Sequence, residues 1–508
     1  MNEVRHARRQ RIGQRRSAST TGAAATTADA APARRRTLGA LGVIAAGSLL
    51  PGCGGGNAVP DLRPGGELVV LTYRSATTWY EDADNRRAGF EFELADRFAR
   101  EAGYELRFVV LPQLADVLPA LERRQGHLAA AGIAATPELE SRFRFGPAYQ
   151  EVGVVVAYDV DARRPQTLAD LVGRRVEVLE GSQAQAELER ARRTATGLEW
   201  AVSDAGDTEE LVARVTQGRI DYAVAESHAV SLARNFHTTI ASALPIGTPR
   251  RLAWAMPSRP DERLPRELAS FFERIRGDAT LSRLLDRYYG HLQRLTEADL
   301  AHFAARVRTV LPQYRRFFHE AQDVTGLDWR LIAALGFQES HWDPKAVSHT
   351  GVRGLMMMQD DTAAKMGVRN LLDPRENILG GARYLAMLRD LLARAPEPDR
   401  TWIALAAYNI GFGHLEDART LARERKLDPN LWVHLKDVLP LLMRPEVAAR
   451  TRFGIARGGE AVILTENVRQ YFDILRRIEP AYRPAFESLR EEISLVPSGA
   501  RLPRLGGR

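Results

Sequence analysis

At 508 residues the chain is too long for one hydrophobic core and implies two or three domains, each able to bury an interior of its own. Its hydrophobic content of 45% and charged content of 27% are ordinary for soluble globular protein. The formal charge of +7 lies wholly in the leader: residues 1–36 hold nine Arg against Glu3 and Asp29, residues 37–52 hold no charge, and the neutral remainder excludes a nucleic-acid-binding footprint.

Residues 1–53 read as a low-complexity extension and an export leader. Arg34, Arg35 and Arg36 form a positive n-region, residues 37–50 an apolar stretch rich in Ala and Gly, and Pro51-Gly52-Cys53 a small-residue cleavage zone. The apolar stretch is too short for a comfortable membrane span. Cys53 is the only cysteine, so no intrachain disulfide can form. Followed by Gly54-Gly55-Gly56, it resembles a bacterial lipoprotein signal in which the thiol is lipidated; a plain secretory signal with an incidental cysteine is the alternative. Residues 54–65, with Pro60, Pro64 and Gly65, read as a linker.

Across residues 66–295 short apolar strands alternate with amphipathic helices. Strands are expected at 67–72, 106–111 and 128–133, with helices at 92–102, capped by Gly103, and 115–124. A second run follows, with a strand at 176–179, helices at 184–193 and 208–217 behind an Asp207 cap, and a strand at 220–225. This is the rhythm of mainly parallel sheets covered on both faces. A return segment near 252–256 makes it a hinged pair of lobes, closed by a helical stretch at 264–293.

The segments GFEFELADRFAREAG, TPELESRFRFGPAY (136–149) and GRIDYAVAE (218–226) resemble the type 3 extracellular solute-binding family of periplasmic amino-acid receptors. The resemblance implies an α/β, two-lobed, periplasmic-binding-protein-like domain with a ligand cleft, and Thr136, Arg142 and Glu226 as candidate ligand residues. In that family a Thr and an Arg clamp the ligand carboxylate, the guanidinium being its natural bidentate partner. Here the family's Arg position holds Leu139, Arg142 lies a turn further on, and Glu226 stands where Asp is usual. The clamp is therefore incomplete for a free amino acid. A small peptide, a muropeptide or, less readily, an amino acid as ligand and a vestigial spacer all stay open.

From residue 300 to 480 strand signals nearly vanish and helices joined by short loops take over. TEADL at 296–300 reads as a helix start capped by Thr296. One helix is expected at 304–325, closing at Gly326, and the next at 328–341. Glu339 falls seven residues after Ile332, four after Leu335 and three after Gly336, on the apolar stripe of that helix. A carboxylate on a buried face must be protonated, paired or placed in a cleft. A carboxyl raised by desolvation can donate to a glycosidic oxygen and then act as base. No second acid takes a persuasive position, since Asp373 and Glu376 belong to a cap-like turn and Asp360 and Asp361 to a helix start. One acid requires a nucleophile from the substrate or a water held by other groups. No HExxH or Cys/His cluster suggests a metal, no cofactor is implied, and His341 and His349 read as surface or hydrogen-bonding groups. Ser340 and Ser348 lack a triad context. Residues 484–508, rich in Pro, Arg and Gly at their end, read as a tail.

ESHWDPKAVSHTGVRGLMM, NILGGARYLAML (377–388) and ALAAYNIGFGHLEDAR (404–419), in that order, resemble the lytic murein transglycosylases of goose-lysozyme-like fold. With the receptor-like half in front, the layout is similar to the membrane-bound F-type members. The resemblance implies a mainly α, lysozyme-like second domain that cuts between N-acetylmuramic acid and N-acetylglucosamine of peptidoglycan strands, leaving a 1,6-anhydromuramyl end. It implies Glu339 as the acid/base. Ser348, Met357, Tyr408, Asn409, Gly411 and Tyr471 are the substrate-binding candidates, with Gly413 shaping the groove floor beside Gly411. Met357 stands where soluble members carry Gln, and Tyr471 ends an ETxxY-like run with one residue too many. The resemblance further implies a location at the periplasmic face of the outer membrane, by lipid or by peripheral contact. A hydrolytic muramidase and a non-cutting envelope sensor are the competing readings.

Overall fold

The computed structural model describes residues 58–483 except 83–84, 293–294 and 349–350. The leader with Cys53, His349 and the 484–508 tail lie outside the described residues.

The first region is built on β1 (Glu67–Tyr73), β2 (Tyr80–Glu81), β3 (Arg87–Ala88), β4 (Glu105–Leu111), β5 (Leu128–Ala129), β6 (Phe143–Phe145), β7 (Gln150–Asp159), β8 (Val176–Leu179), β9 (Ala201–Ser203), β10 (Tyr222–Glu226), β11 (Ile240–Leu252) and β12 (Ala255–Pro257). One sheet runs β4-β1-β5-β12-β6 and the other β11-β7-β10-β8-β9, with β2 and β3 a separate ribbon. The chain passes to the second sheet after β6 and returns before β12, so two crossings join the lobes as the 252–256 segment foretold. β1 is buried from Leu68 to Tyr73, which explains its unbroken apolar run: both of its faces are covered.

The sheets are mixed rather than mainly parallel. β1 pairs in parallel with β4 and β5, and β8 with β9 and β10, but β7 is antiparallel to β10 and β11, and β12 to β5 and β6. The departures are β7 and β11, long strands that pair antiparallel with each other, and the returning β12, which runs against both of its neighbours in the first sheet. Gly103 caps the helix Phe90–Ala102 in the left-handed region at φ 74°, as expected.

The second region is helical, with its own core around Phe303, Trp329, Phe337, Trp342 and Trp432. Thr296 caps the helix Glu297–Thr309 in a reciprocal box with Asp299. The single helix expected at 304–325 breaks there, and Leu311–Thr325 begins anew. Pro312, which has no N–H, sits in that first turn, where none is needed. Four helices place the site: Trp329–Ser340, here α1; Pro374–Leu391, α2; Asp399–Ile410, α3; and Phe412–Glu424, α4. The long helix Gly458–Ile478, α5, packs against both α1 and α3. All residues from Trp329 to Phe337 are buried, so α1 is an interior helix surrounded on every side.

The two regions meet across charged groups withdrawn from water. Arg283 donates to Asp399 at 2.6 and 3.0 Å, and Arg469 on α5 donates to Asp286 at 2.9 Å and to its carbonyl at 2.7 Å. Lys436 also reaches Asp286, Arg469 holds Glu466 at 2.8 Å, and Gln470 donates to Asn235 at 2.6 Å. Among the described residues no helix is long and apolar enough to cross a membrane, and no cluster of three or more metal-ligating side chains occurs.

Candidate active site and interlobe cleft

Glu339 is the penultimate residue of α1, half-buried, just past the stretch in which every residue is enclosed. Burial pushes its carboxyl up to about 8, so it holds a proton at neutral pH. Immediately beyond it His341 and Trp342 both take left-handed φ values, 53° and 59°, a rare conformation for bulky residues. Trp342 is held there by burial and by its indole N–H, which donates to the Ala333 carbonyl at 2.8 Å. The chain thus turns sharply off α1 and leaves Glu339 at the rim of the core.

The segment 353–358 folds over that end as a tight loop, with Arg353 and Met358 exchanging backbone hydrogen bonds at 3.1 and 3.2 Å. Three side chains pin it. Ser340 Oγ donates to the Leu355 carbonyl at 2.8 Å, buried Asn377 on α2 accepts from the Met356 N–H at 2.6 Å, and Tyr408 on α3 donates to the Met356 carbonyl at 2.8 Å. Glycines make the approach close: a Cβ on Gly336 would lie 2.8 Å from Leu355, and one on Gly381 would lie 2.7 Å from Met356. Gly354 has φ 83°, and a Cβ there would fall 2.1 Å from the Leu371 carbonyl. Gly354→Val is expected to cost at least ~2 kcal/mol through left-handed strain and that clash, read as a lower urea midpoint.

The expected residues are not all brought together. Glu339, the Met356–Met357 turn and Tyr408 converge; burial and then the charge of Glu339 hold the Tyr408 hydroxyl well above the phenol range. Met357 is half-buried at the loop apex with φ 46°. Asn409 is exposed at the end of α3, and Gly411, at φ 83°, separates α3 from α4 with nothing within 4 Å of its missing Cβ. Ser348 organises its own turn: its Oγ accepts from the Val352 N–H at 3.2 Å and its carbonyl from Gly351 at 3.1 Å. Tyr471 is a correction. It is 4% exposed, with its ring centroid 4.5 Å from Phe303 and 4.9 Å from Phe337, so it supports α1 from the core instead of lining a groove. Glu466 is likewise interior, accepting from the Trp432 indole at 2.6 Å. Asn377 was missed. Its signal was a polar residue heading the otherwise apolar run NILGG.

Between the lobes of the first region lies a cavity of about 570 Å³, lined among others by Tyr73, Thr136, Leu139, Arg142, Glu226 and His228. Thr136 is occupied as a cap, accepting from the Leu139 N–H at 3.4 Å. Arg142 is exposed and spends its guanidinium on Glu122 at 2.7 and 3.1 Å. Glu226 accepts from the Ala184 N–H at 3.2 Å, at the first turn of the helix Gln183–Ala191, and burial raises its carboxyl. Burial also lowers His228 to about 4, leaving it neutral. The cleft is roomy, with Leu139 where the resemblance leads one to expect an arginine, and Arg190 and Arg193 also line it.

Residues 68–291 match the family of bacterial extracellular solute-binding proteins, family 3, and residues 316–430 match the transglycosylase SLT domain. A protein of Methylobacillus flagellatus called membrane-bound lytic murein transglycosylase F is 42% identical over 84% of this chain and 92% of its own length. The chain belongs to the membrane-bound lytic murein transglycosylase F family. A second member, from Nitrosospira multiformis, is 43% identical over 88% of this chain and 93% of its own. An ancestral arginine-binding protein bound to arginine aligns at 20% identity and TM-score 0.40 over 44% of this chain and 98% of that one. The family's two-part layout, a receptor-like α/β region followed by a helical transglycosylase region, is the one described above.

Proposed function

We propose that this lytic murein transglycosylase cuts the β-1,4 bond between N-acetylmuramic acid and N-acetylglucosamine with Glu339 as its single acid/base. The observation that carries the reading is a lone, half-buried carboxyl, protonated at neutral pH, facing the pinned Met356–Tyr408 loop. Glu339 gives its proton to the bridging oxygen as the N-acetylglucosamine end departs. The substrate's own acetamido group supports the cationic centre in place of a second carboxylate. Glu339, now a carboxylate, takes the proton of the muramyl C6 hydroxyl, whose oxygen closes on C1. The internal nucleophile gains from proximity and needs no water. Tyr408 holds the loop, while Asn409 and Gly411 offer a polar side chain and open backbone to the glycan; Ser348 and Met357 flank the same end of α1.

Mass spectrometry of digested peptidoglycan tests this. Anhydromuramyl ends are expected; reducing ends would assign a hydrolytic muramidase, and intact strands a sensor that no longer cuts.

The membrane-bound character that its relatives' name states implies a location at the cell envelope. Attachment at the periplasmic face of the outer membrane, through lipid on Cys53 or by peripheral contact, is our reading from the leader. The interlobe cleft is read as a regulatory site for a peptide or muropeptide rather than a free amino acid, because Leu139 replaces the arginine of the clamp and Arg142 is engaged elsewhere. A thermal-shift screen of the full chain checks it. A muropeptide at a hundredfold excess over its Kd should stabilise by about 2.7 kcal/mol and raise the melting temperature. Free amino acids should leave it unmoved, and a shift with arginine or glutamine would refute the reading.

A further inference from the structure

We infer that Phe453, with Ile455 beside it, is a sugar-stacking wall of the glycan groove that takes the apolar face of an N-acetylhexosamine ring away from the scissile bond. The inference rests on the glycan-cutting reading above. Phe453 is 49% exposed and Ile455 64%, in the segment between the helix Pro445–Ala448 and α5. Large apolar side chains in open water are unfavourable, and a loose loop would fold them inward. This loop is fixed instead. Buried Asp417 on α4 accepts the backbone N–H groups of Arg452 at 3.0 Å and Phe453 at 2.9 Å. Thr451 Oγ1 donates to the Ala448 carbonyl at 2.9 Å, and the Ala456 N–H donates to Leu442 at 3.1 Å.

The ring sits on the glycine turn that leads away from the site. A Cβ on Gly413 would lie 2.9 Å from the Phe453 ring, so glycine lets the ring rest close against the start of α4. The His414 ring stands edge-on at 6.0 Å, and the Arg452 guanidinium lies 5.4 Å from the Phe453 centroid. Gly411, three residues after Tyr408, has open space where a side chain would project. From Tyr408 the chain passes the open space at Gly411 and comes to the half-exposed Phe453 ring, which has the His414 ring and the Arg452 guanidinium for polar neighbours. A pyranose has matching parts: a C–H face for the ring and equatorial polar groups for its neighbours.

The test uses the full chain acting on soluble, uncross-linked peptidoglycan strands. Phe453→Ala should raise KM about tenfold, the factor one aromatic contact supplies, with kcat within about twofold. Phe453→Leu, which keeps apolar bulk and protects the fold, should raise KM equally, and Phe453→Trp should restore it. An unchanged KM in variants with wild-type melting temperature, or a loss confined to kcat, overturns the inference. Should the wild-type chain release no anhydro ends, the glycan-cutting reading fails separately. Strand binding to the Glu339→Gln chain then decides: about tenfold weaker binding on adding Phe453→Ala supports the wall, and equal binding rejects it.

Discussion

Glu339→Gln is expected to cut the release of anhydromuramyl products by a factor on the order of 10²–10⁴ while leaving the protein folded. The amide fills the same space and cannot donate a proton to a departing sugar oxygen. Because the acid must be protonated when substrate binds, kcat/KM of the wild type should fall along a single limb as pH rises through about 8. Stability follows the same group. Its folded pKa lies above its unfolded value, so below about pH 4.3 both states are protonated and the neutral group costs nothing. As pH rises towards 8 the unfolded chain sheds a proton that the folded chain keeps, and the wild type loses stability across that window. The glutamine variant has no such loss, so its melting temperature should climb relative to wild type from pH 5 to 8. Wild-type product release by the variant would end the one-acid mechanism; a pH-independent gap in melting temperature would show that Glu339 is not enclosed as described.

The second large effect is expected at Arg469, which is 2% exposed and serves both regions at once. Arg469→Met leaves Asp286 and Glu466 buried without it. Removing one member of a buried charge set typically costs 3–5 kcal/mol because the others stay uncompensated. Here Asp286 retains Lys436 and Glu466 retains the Trp432 indole, which argues for the lower end, about 3 kcal/mol. Arg469→Lys should recover only part, since an ammonium cannot span two carboxylates and a carbonyl as the guanidinium fork does. Chemical denaturation followed by circular dichroism measures both variants; a loss below about 0.5 kcal/mol for the methionine would mean that the seam is solvated.

What the sequence disclosed followed from periodicity. Glu339 was legible because Ile332, Leu335 and Gly336 share its helical face, and α1 proved to be enclosed. The Gly103, Asp207 and Thr296 caps were legible from local chemistry alone. β7 and β11 were not, since β11 contains Pro245, Gly247 and Pro249 and its strand character comes from pairing with β7. Tyr471 was read from a motif when its spacing already spoke against it: Val468, Ile474 and Leu475 stand three and four residues away on the core face of α5. The left-handed turn at His341 and Trp342 has no glycine to announce it. It is imposed by the buried indole and its bond to Ala333, a contact that exists only once α1 is packed.

The bond between Glu226 and the Ala184 N–H has a consequence for what the cleft can refuse. A helix terminus is an attractive place for any small anion. In this cleft it is already satisfied by a tethered carboxylate, whose effective concentration is on the order of millimolar or more. A guest that brings only a carboxylate must evict that resident before gaining anything. On the regulatory reading proposed above, a simple anion meets both an occupied helix terminus and the resident's own negative charge, and a successful guest gains chiefly through contacts with the apolar walls.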